Sequence, residues 1–543
     1  MINSVFQTTL AAHRLAAIRI LLALSASVAA LPVHATNQTP DVSPVQLGGP
    51  SPFKVSVQPY DFGAAELPTL HSFAAGKYDG KWILIAGRTN GLHGFGPLNS
   101  NNFAPESQNR EVWVVDPVTR QSWSRSLDDA AAGLTNAEVN SLTPANTEFY
   151  QRGNRLYMVG GYGVQTAAGV TPALNSTFST LSAIDLPSLV EWTQGGAGTA
   201  KASIRQITDP LLGVTGGDIY EIAGRTHLVF GQNFQGNYSP GGNGLYTNQV
   251  RSFDIVDDGV NLTLAGAAQS PQVASYRRRD LNVVPVLRPG AGGQLDQGLV
   301  ALSGVFTPTN GVWTVPVEID ADGNPAMADP NNPATFKQGM NGYHSAKVGL
   351  FSEQTGEMHE LLFGGISYQY YDSATQQFLT DDNLPFVNDI TDLSIDANDH
   401  YSENRIGEFP VVDDGAGNRL RFGANAEFFP ADGIDAYAND VLKLDSLTGP
   451  TTIGYIFGGL ESNAPNTRGV TGAASIASNT IFAVVITPVP EPATGALLIA
   501  GVATAGVFHL WVVFGNQWNR MRGARQMSTA VATSSNRQPD RQS

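Results

Sequence analysis

Short apolar runs that stop on glycine recur through the middle of the chain. Six stand out: residues 82–87 (Trp-Ile-Leu-Ile-Ala-Gly), 156–161, 228–231, 299–304, 361–365 and 455–459. Each is too short for a helix and rich in β-branched and aromatic residues. That pattern predicts a strand buried on both faces. A closing glycine permits a tight turn and a close approach by a neighbouring backbone. The runs start 62–94 residues apart, so one supersecondary unit repeats.

A second pattern follows the first. Residues 110–123 run through Val112, Trp113, Val114 and Val115, turn at Asp116-Pro117, and continue to Trp123. This predicts strand, turn, strand. Weaker copies occupy 181–192, 249–264 and 311–320. A glycine-closed apolar strand followed by a strand–turn–strand ending in Trp resembles the blades of kelch β-propellers. The resemblance spans residues 65–488 and is strongest in the first two blades. It implies an all-β ring of four-stranded sheets, because one such sheet covers both its faces only between neighbours. Six blades are expected, with inner strands beginning near His71, Asn146, Gly217, Arg277, Tyr343 and Asn425. Seven is the alternative, since 421–445 holds more strand-like sequence than one blade edge needs. No outer strand follows 480–487, so the spare segment 53–60 is expected to return and close the ring.

The ends follow another logic. Arg14 and Arg19 precede the apolar stretch 20–33 and the small-residue site at Val33-His34-Ala35. This predicts a signal peptide over 1–35, with a buried first helix as the alternative, and a linker over 36–52. At the other end Pro490-Glu491-Pro492 leads into residues 495–514, which lack Asp, Glu, Lys and Arg and are long enough to span a bilayer. Arg520, Arg522 and Arg525 open a basic cytoplasmic tail, 515–543. This arrangement resembles the PEP-CTERM sorting signal of exopolysaccharide-producing Gram-negative bacteria. It implies an exosortase-type processing enzyme as partner and a place in the envelope, at the outer surface or outside the cell. The polar extension after the basic cluster is longer than usual for that signal, and a plain membrane anchor is the alternative.

Charge and composition narrow the field. The 543 residues carry 31 Lys+Arg against 47 Asp+Glu, a formal charge of −16. Without 1–35 and the segment from 495, 24 basic and 46 acidic residues remain. Such a domain is a poor nucleic-acid ligand. No cysteine is present, which excludes disulfides, thiolate chemistry and the Tyr–Cys copper cofactor found among secreted kelch enzymes. Asp320-Ala321-Asp322-Gly323-Asn324 starts like a calcium loop, but its glycine is misplaced and Pro325 follows, so a turn is expected, as at 257–259 and 413–415. No cofactor is expected beyond incidental calcium.

Alternating strand direction places the long loops 88–109, 162–180, 232–248, 366–385 and 461–478 on one face, together with the heads of the inner strands. Those heads carry His71, Asn146, Glu148, Asp218, Arg278, Asp280, His344, Asn425 and Glu427. His-Ser recurs at 71 and 344, and Asn146-Thr-Glu-Phe echoes Asn425-Ala-Glu-Phe. In the run Arg277–Arg279 strand alternation lets at most two side chains face one mouth. No catalytic triad, phosphate loop or metal motif accompanies these residues. A non-catalytic surface protein binding glycan or protein through its loop face is the leading expectation. A carbohydrate-active enzyme at the channel mouth is the alternative, and a glycosidase version needs Glu148 and Glu427 paired.

Overall fold

The computed structural model describes residues 41–49, 51–94, 103–166, 174–238, 244–309, 311–465 and 474–489. The signal peptide, the Pro490-Glu491-Pro492 motif, the membrane segment and the basic tail lie outside the described residues. Among the described residues, no helix is long and apolar enough to cross a membrane.

The chain forms an all-β propeller. Five blades are continuous stretches of sequence. The first is Ala74–Tyr78, Lys81–Ile85, Glu111–Asp116 and Gln121–Ser126. The second is Glu148–Arg152, Arg155–Val159, Thr180–Asp185 and Ile204–Thr208. The third is Asp218–Ile222, Arg225–Val229, Val250–Asp257 and Leu262–Gln269. The fourth is Val283–Pro289, Leu295–Ala301, Val317–Ile319 and Pro325–Met327. The fifth is Ala346–Ser352, Glu357–Ile366, Phe386–Ile395 and Tyr401–Glu408.

A sixth sheet completes the ring from two distant segments. Arg421–Pro430, Thr451–Ser462 and Ile481–Pro488 take their outer strand from Phe53–Pro59, with Phe53 opposite Pro488 and Pro59 opposite Phe482. Trp82 of the first blade stacks on Phe429 of the sixth at 4.5 Å, closing the seam with buried aromatic surface. The strand-like surplus in 421–445 makes no further blade. Leu442–Lys443 instead runs parallel to Leu350–Phe351, beside the fifth blade's inner strand.

All six glycine-closed runs are second strands. Their glycines do more than turn the chain. The N–H groups of Gly87, Gly161, Gly231, Gly304 and Gly459 donate to the carbonyls of Pro144, Val214, Arg278, Gly342 and Leu70, each at the entry of the next blade. The approach is close: a Cβ on Gly160 would lie 2.1 Å from Val214 O, and one on Gly364 2.2 Å from Phe422 O. Any side chain there would force the blades apart.

Two outer-strand expectations fail. Beyond Asp185 the second blade makes a helix, Leu186–Thr193, instead of a strand. Asp185 caps it by accepting from Ser188 N–H at 3.2 Å, proline occupies the first turn, and Leu189, Val190 and Trp192 bury one face. In 311–320 only Val317–Ile319 is strand. The Asp320 turn does form, tied by Asp322 N–H and Asn324 N–H to Asp320 Oδ1 at 3.0 and 2.8 Å.

Candidate functional site

The blade entries follow a three-residue rule. The residue whose carbonyl meets the preceding blade's glycine sits in the seam; these are Leu70, Pro144, Val214, Arg278 and Gly342. The next residue faces the axis on the loop side: His71, Ala145, Thr215, Arg279 and Tyr343 line one recess there. The one after that belongs to a backbone ring. Ser72 N–H donates to Asn425 O, Asn425 N–H to His344 O, His344 N–H to Asp280 O, Asp280 N–H to Gly216 O and Asn146 N–H to Ser72 O. Thr215 Oγ1 donates to Asn146 O and completes the circle at 3.0 Å.

That ring explains the Asn echo. Ser72, Asn146, Gly216, Asp280 and Asn425 all have φ between 48° and 69°. Asn and Asp tolerate this left-handed conformation better than bulkier residues do. The repetition at 146 and 425 therefore marks a backbone requirement. The two His-Ser pairs differ by one position: His71 precedes the ring residue, whereas His344 is the ring residue. One step turns the side chains to opposite sides. His71 faces the loop-side recess and His344 faces the channel.

The recess has a volume of about 40 Å³. Arg279 pairs with Asp280 at 2.9 Å and donates to the hydroxyls of Tyr246 and Tyr238 at 3.1 and 3.3 Å. Burial opposes its charge, but Asp280 and the tyrosines more than restore it and hold the guanidinium protonated. Asn146 Nδ2 donates to Asp280 Oδ1 at 3.1 Å. Long loops of three blades roof the recess with Phe103, Tyr162, Phe234 and Tyr238, and the Arg88 guanidinium lies 4.3 Å over the Phe103 ring. Burial, then Arg88, keeps His71 and His93 neutral; His93 falls to about 3. His71 Nε2 and Asn146 Oδ1 are buried without a partner.

Arg278 does not join this site. It occupies the seam position, fully buried, and donates to the carbonyls of Leu302, Ser303 and Val315 at 2.8–3.3 Å. The site arginine is Arg279. Counting from the glycine-paired seam residue would have separated the two, since strand neighbours point opposite ways.

Below the ring the axis widens into a channel of about 860 Å³, bounded at its far end by the turns at Asp79–Gly80 and Asp432–Gly433. Asp218 and Lys347 pair across it at 3.2 Å. His344 Nε2 is 4.0 Å from Glu427 Oε1. Burial pushes Glu427 up to about 8 and, with help from Lys347, His344 down to about 3, so the imidazole is neutral at pH 7. Glu148 also borders the channel, but its Oε1 accepts from Gly217 N–H at 2.7 Å in the seam of blades two and three. Glu148 and Glu427 are not hydrogen-bonded to each other. Asn146 and Asp280 border both spaces. Lys347 and Glu360 escaped sequence reasoning. A clue was available for Glu360: it immediately precedes the apolar run 361–365 within a second strand. Among the described residues no cluster of three or more His, Asp or Glu is placed to hold a metal ion.

No family model matches this chain, and no curated protein matches it. Among the solved structures that match is one described as the structure of YjhT. It is 11% identical, with a TM-score of 0.40, over 78% of this chain and 99% of that one.

Proposed function

We propose that this is an exported, non-catalytic glycan-binding protein of the kelch class, sorted by a PEP-CTERM signal and displayed on or released from the surface of a Gram-negative cell. The observation that carries the binding reading is the loop-side recess. Loops from three separate blades bring aromatic rings and guanidinium groups together over the axis. Sugar rings stack on aromatic faces through their C–H groups, and Arg forks hold carboxylates or hydroxyls. Beside these donors, Asp280 is committed to Arg279 and Asn146.

The terminal signals support export, with an exosortase-type enzyme as processing partner. Mass spectrometry of the protein from its own host tests this: mature ends near Ala35 and Pro490 are expected, and an intact chain would contradict it. Binding is tested with the producer's own polysaccharide against wild type and Arg88→Ala. Wild-type binding that the variant loses by at least tenfold is expected. No binding by wild type would overturn the reading.

The second reading, a carbohydrate-active enzyme, would draw on Glu427, a carboxyl held protonated near neutral pH as a general acid requires. It predicts release of reducing ends from the same polymer.

A further inference from the structure

The channel below the ring holds charges that the loop-side reading does not use. Glu360 is fully buried, and neither carboxyl oxygen has a hydrogen-bond partner. It borders the channel because residue 349, directly opposite it in the sheet, is glycine; a Cβ there would lie 3.0 Å from Glu360 Oε1. An unpartnered buried carboxyl is costly unless something else in the cavity satisfies it.

The charges around the channel are unequal. From the fifth blade come Glu360, Lys347 and His344, from the third Asp218 and Tyr220, and from the sixth Glu427 and Asp440. Lys347 is held by Asp218. Nearer the far opening, Lys77 of the first blade is held by Asp432 at 2.6 Å, and Arg152 of the second by Glu221 at 2.9 Å. Asp280 of the fourth is held by Arg279, and Glu148 of the second by Gly217 N–H. Glu360 and Glu427 form no ion pair with Lys or Arg among the described residues. Glu427 meets only His344, at 4.0 Å.

We propose that the channel is a second ligand site, for an organic cation carrying primary ammonium groups, with Glu360 and Glu427 as its counter-charges. The acids are spread along the cavity and not gathered as a metal site would require. The volume, about 860 Å³, suits an extended molecule. Entry is from the face opposite the loops, past Asp79, Asp432 and Asp440, and the acidic chain draws cations toward it. An amine-bearing sugar oligomer and a free oligoamine share this chemistry.

Calorimetric titration of the full chain separates the two sources. The probes are spermidine, a fully deacetylated glucosamine oligomer, its N-acetylated counterpart, and calcium alone. At least one amine is expected to bind, and the N-acetylated oligomer and calcium are not. Glu427→Gln and Glu360→Gln should each weaken binding at least tenfold without changing the circular dichroism spectrum. In wild type, spermidine affinity should rise from pH 6 to 8, by up to about tenfold per pH unit for each proton displaced, because both acids are otherwise held protonated by burial. This pH slope keeps the test decisive if a variant does not fold. Polysaccharide binding on the loop face should survive Glu427→Gln, so failure of either site is seen separately. Absence of binding by both amines, equal binding of the N-acetylated oligomer or calcium, or amine affinity indifferent to both substitutions and to pH would overturn the proposal.

Discussion

The two ends of the propeller axis are built from the same strand heads but handle charge in opposite ways. On the loop side Arg279 is matched by Asp280, Asn146 and two tyrosines, and aromatic rings close over the pair. In the channel, Glu360 and Glu427 are offset only by a neutral imidazole and a committed lysine, while Asp392 beside Glu360 and Asp218 beside Glu427 add like charge. The first arrangement is complete without a ligand inside the ion pair, and buried rings and the buried Arg88 guanidinium cover it. The second leaves carboxyls that only protons, water or a cationic ligand can satisfy. A single residue step along each inner strand decides which end a side chain serves.

If that contrast is right, truncation has opposite signs at the two ends. Arg279→Met leaves the Asp280 carboxylate buried without its counter-charge, with the Asn146 amide still donating to it, and should destabilise the protein by about 3–5 kcal/mol in chemical denaturation. Glu360→Leu removes a buried acid that has no partner, and should stabilise it by about 1–3 kcal/mol at pH 8. Loss of stability in the Glu360 variant would mean that the channel acid is structurally satisfied and that the two ends are alike.

The pH response sharpens the comparison. Burial raises Glu427 to about 8 and Glu403, which accepts from Gly339 and Met340 N–H groups, to about 7. The folded chain holds protons there that the unfolded chain releases near pH 4.5. Their stabilisation is therefore complete below about 4.5 and is lost as pH rises toward 7–8. Melting temperature should fall by several degrees between pH 5 and pH 8, and Glu427→Gln should reduce that fall without abolishing it, since Glu403 remains. The smallest effect belongs to the roof. Tyr238→Phe deletes a hydroxyl that accepts from Arg279 Nη2 at 3.3 Å, and should cost about 1 kcal/mol or less because Asp280 and Tyr246 still hold the guanidinium.

Much of this ring was legible in the sequence, for a physical reason. Second strands are buried on both faces and end where the next blade's backbone arrives, so apolar runs and obligatory glycines mark them. The return of Phe53–Pro59 followed from a missing outer strand. Outer strands are half exposed and carry weaker patterns, which is why Leu186–Thr193 could be a helix without breaking the repeat. The site was legible in position but not in direction. His71, Asn146, Asp280 and Asn425 do gather at the recess, and Asp218, His344 and Glu427 at the channel. Arg278 was preferred to Arg279 because adjacent strand residues have the same composition signal and opposite orientations. The aromatic roof was hidden in loops with no periodicity, and Glu360 reaches the channel only through the gap left by Gly349.

The most direct test of the central claim is hydrogen–deuterium exchange of the full chain with and without the producer's polysaccharide. The account predicts slowed exchange in 88–94, 103–109, 162–166 and 232–238, with the turns at Asp79–Gly80 and Asp432–Gly433 unchanged. Protection confined to those turns, or absent from the loops, would contradict it.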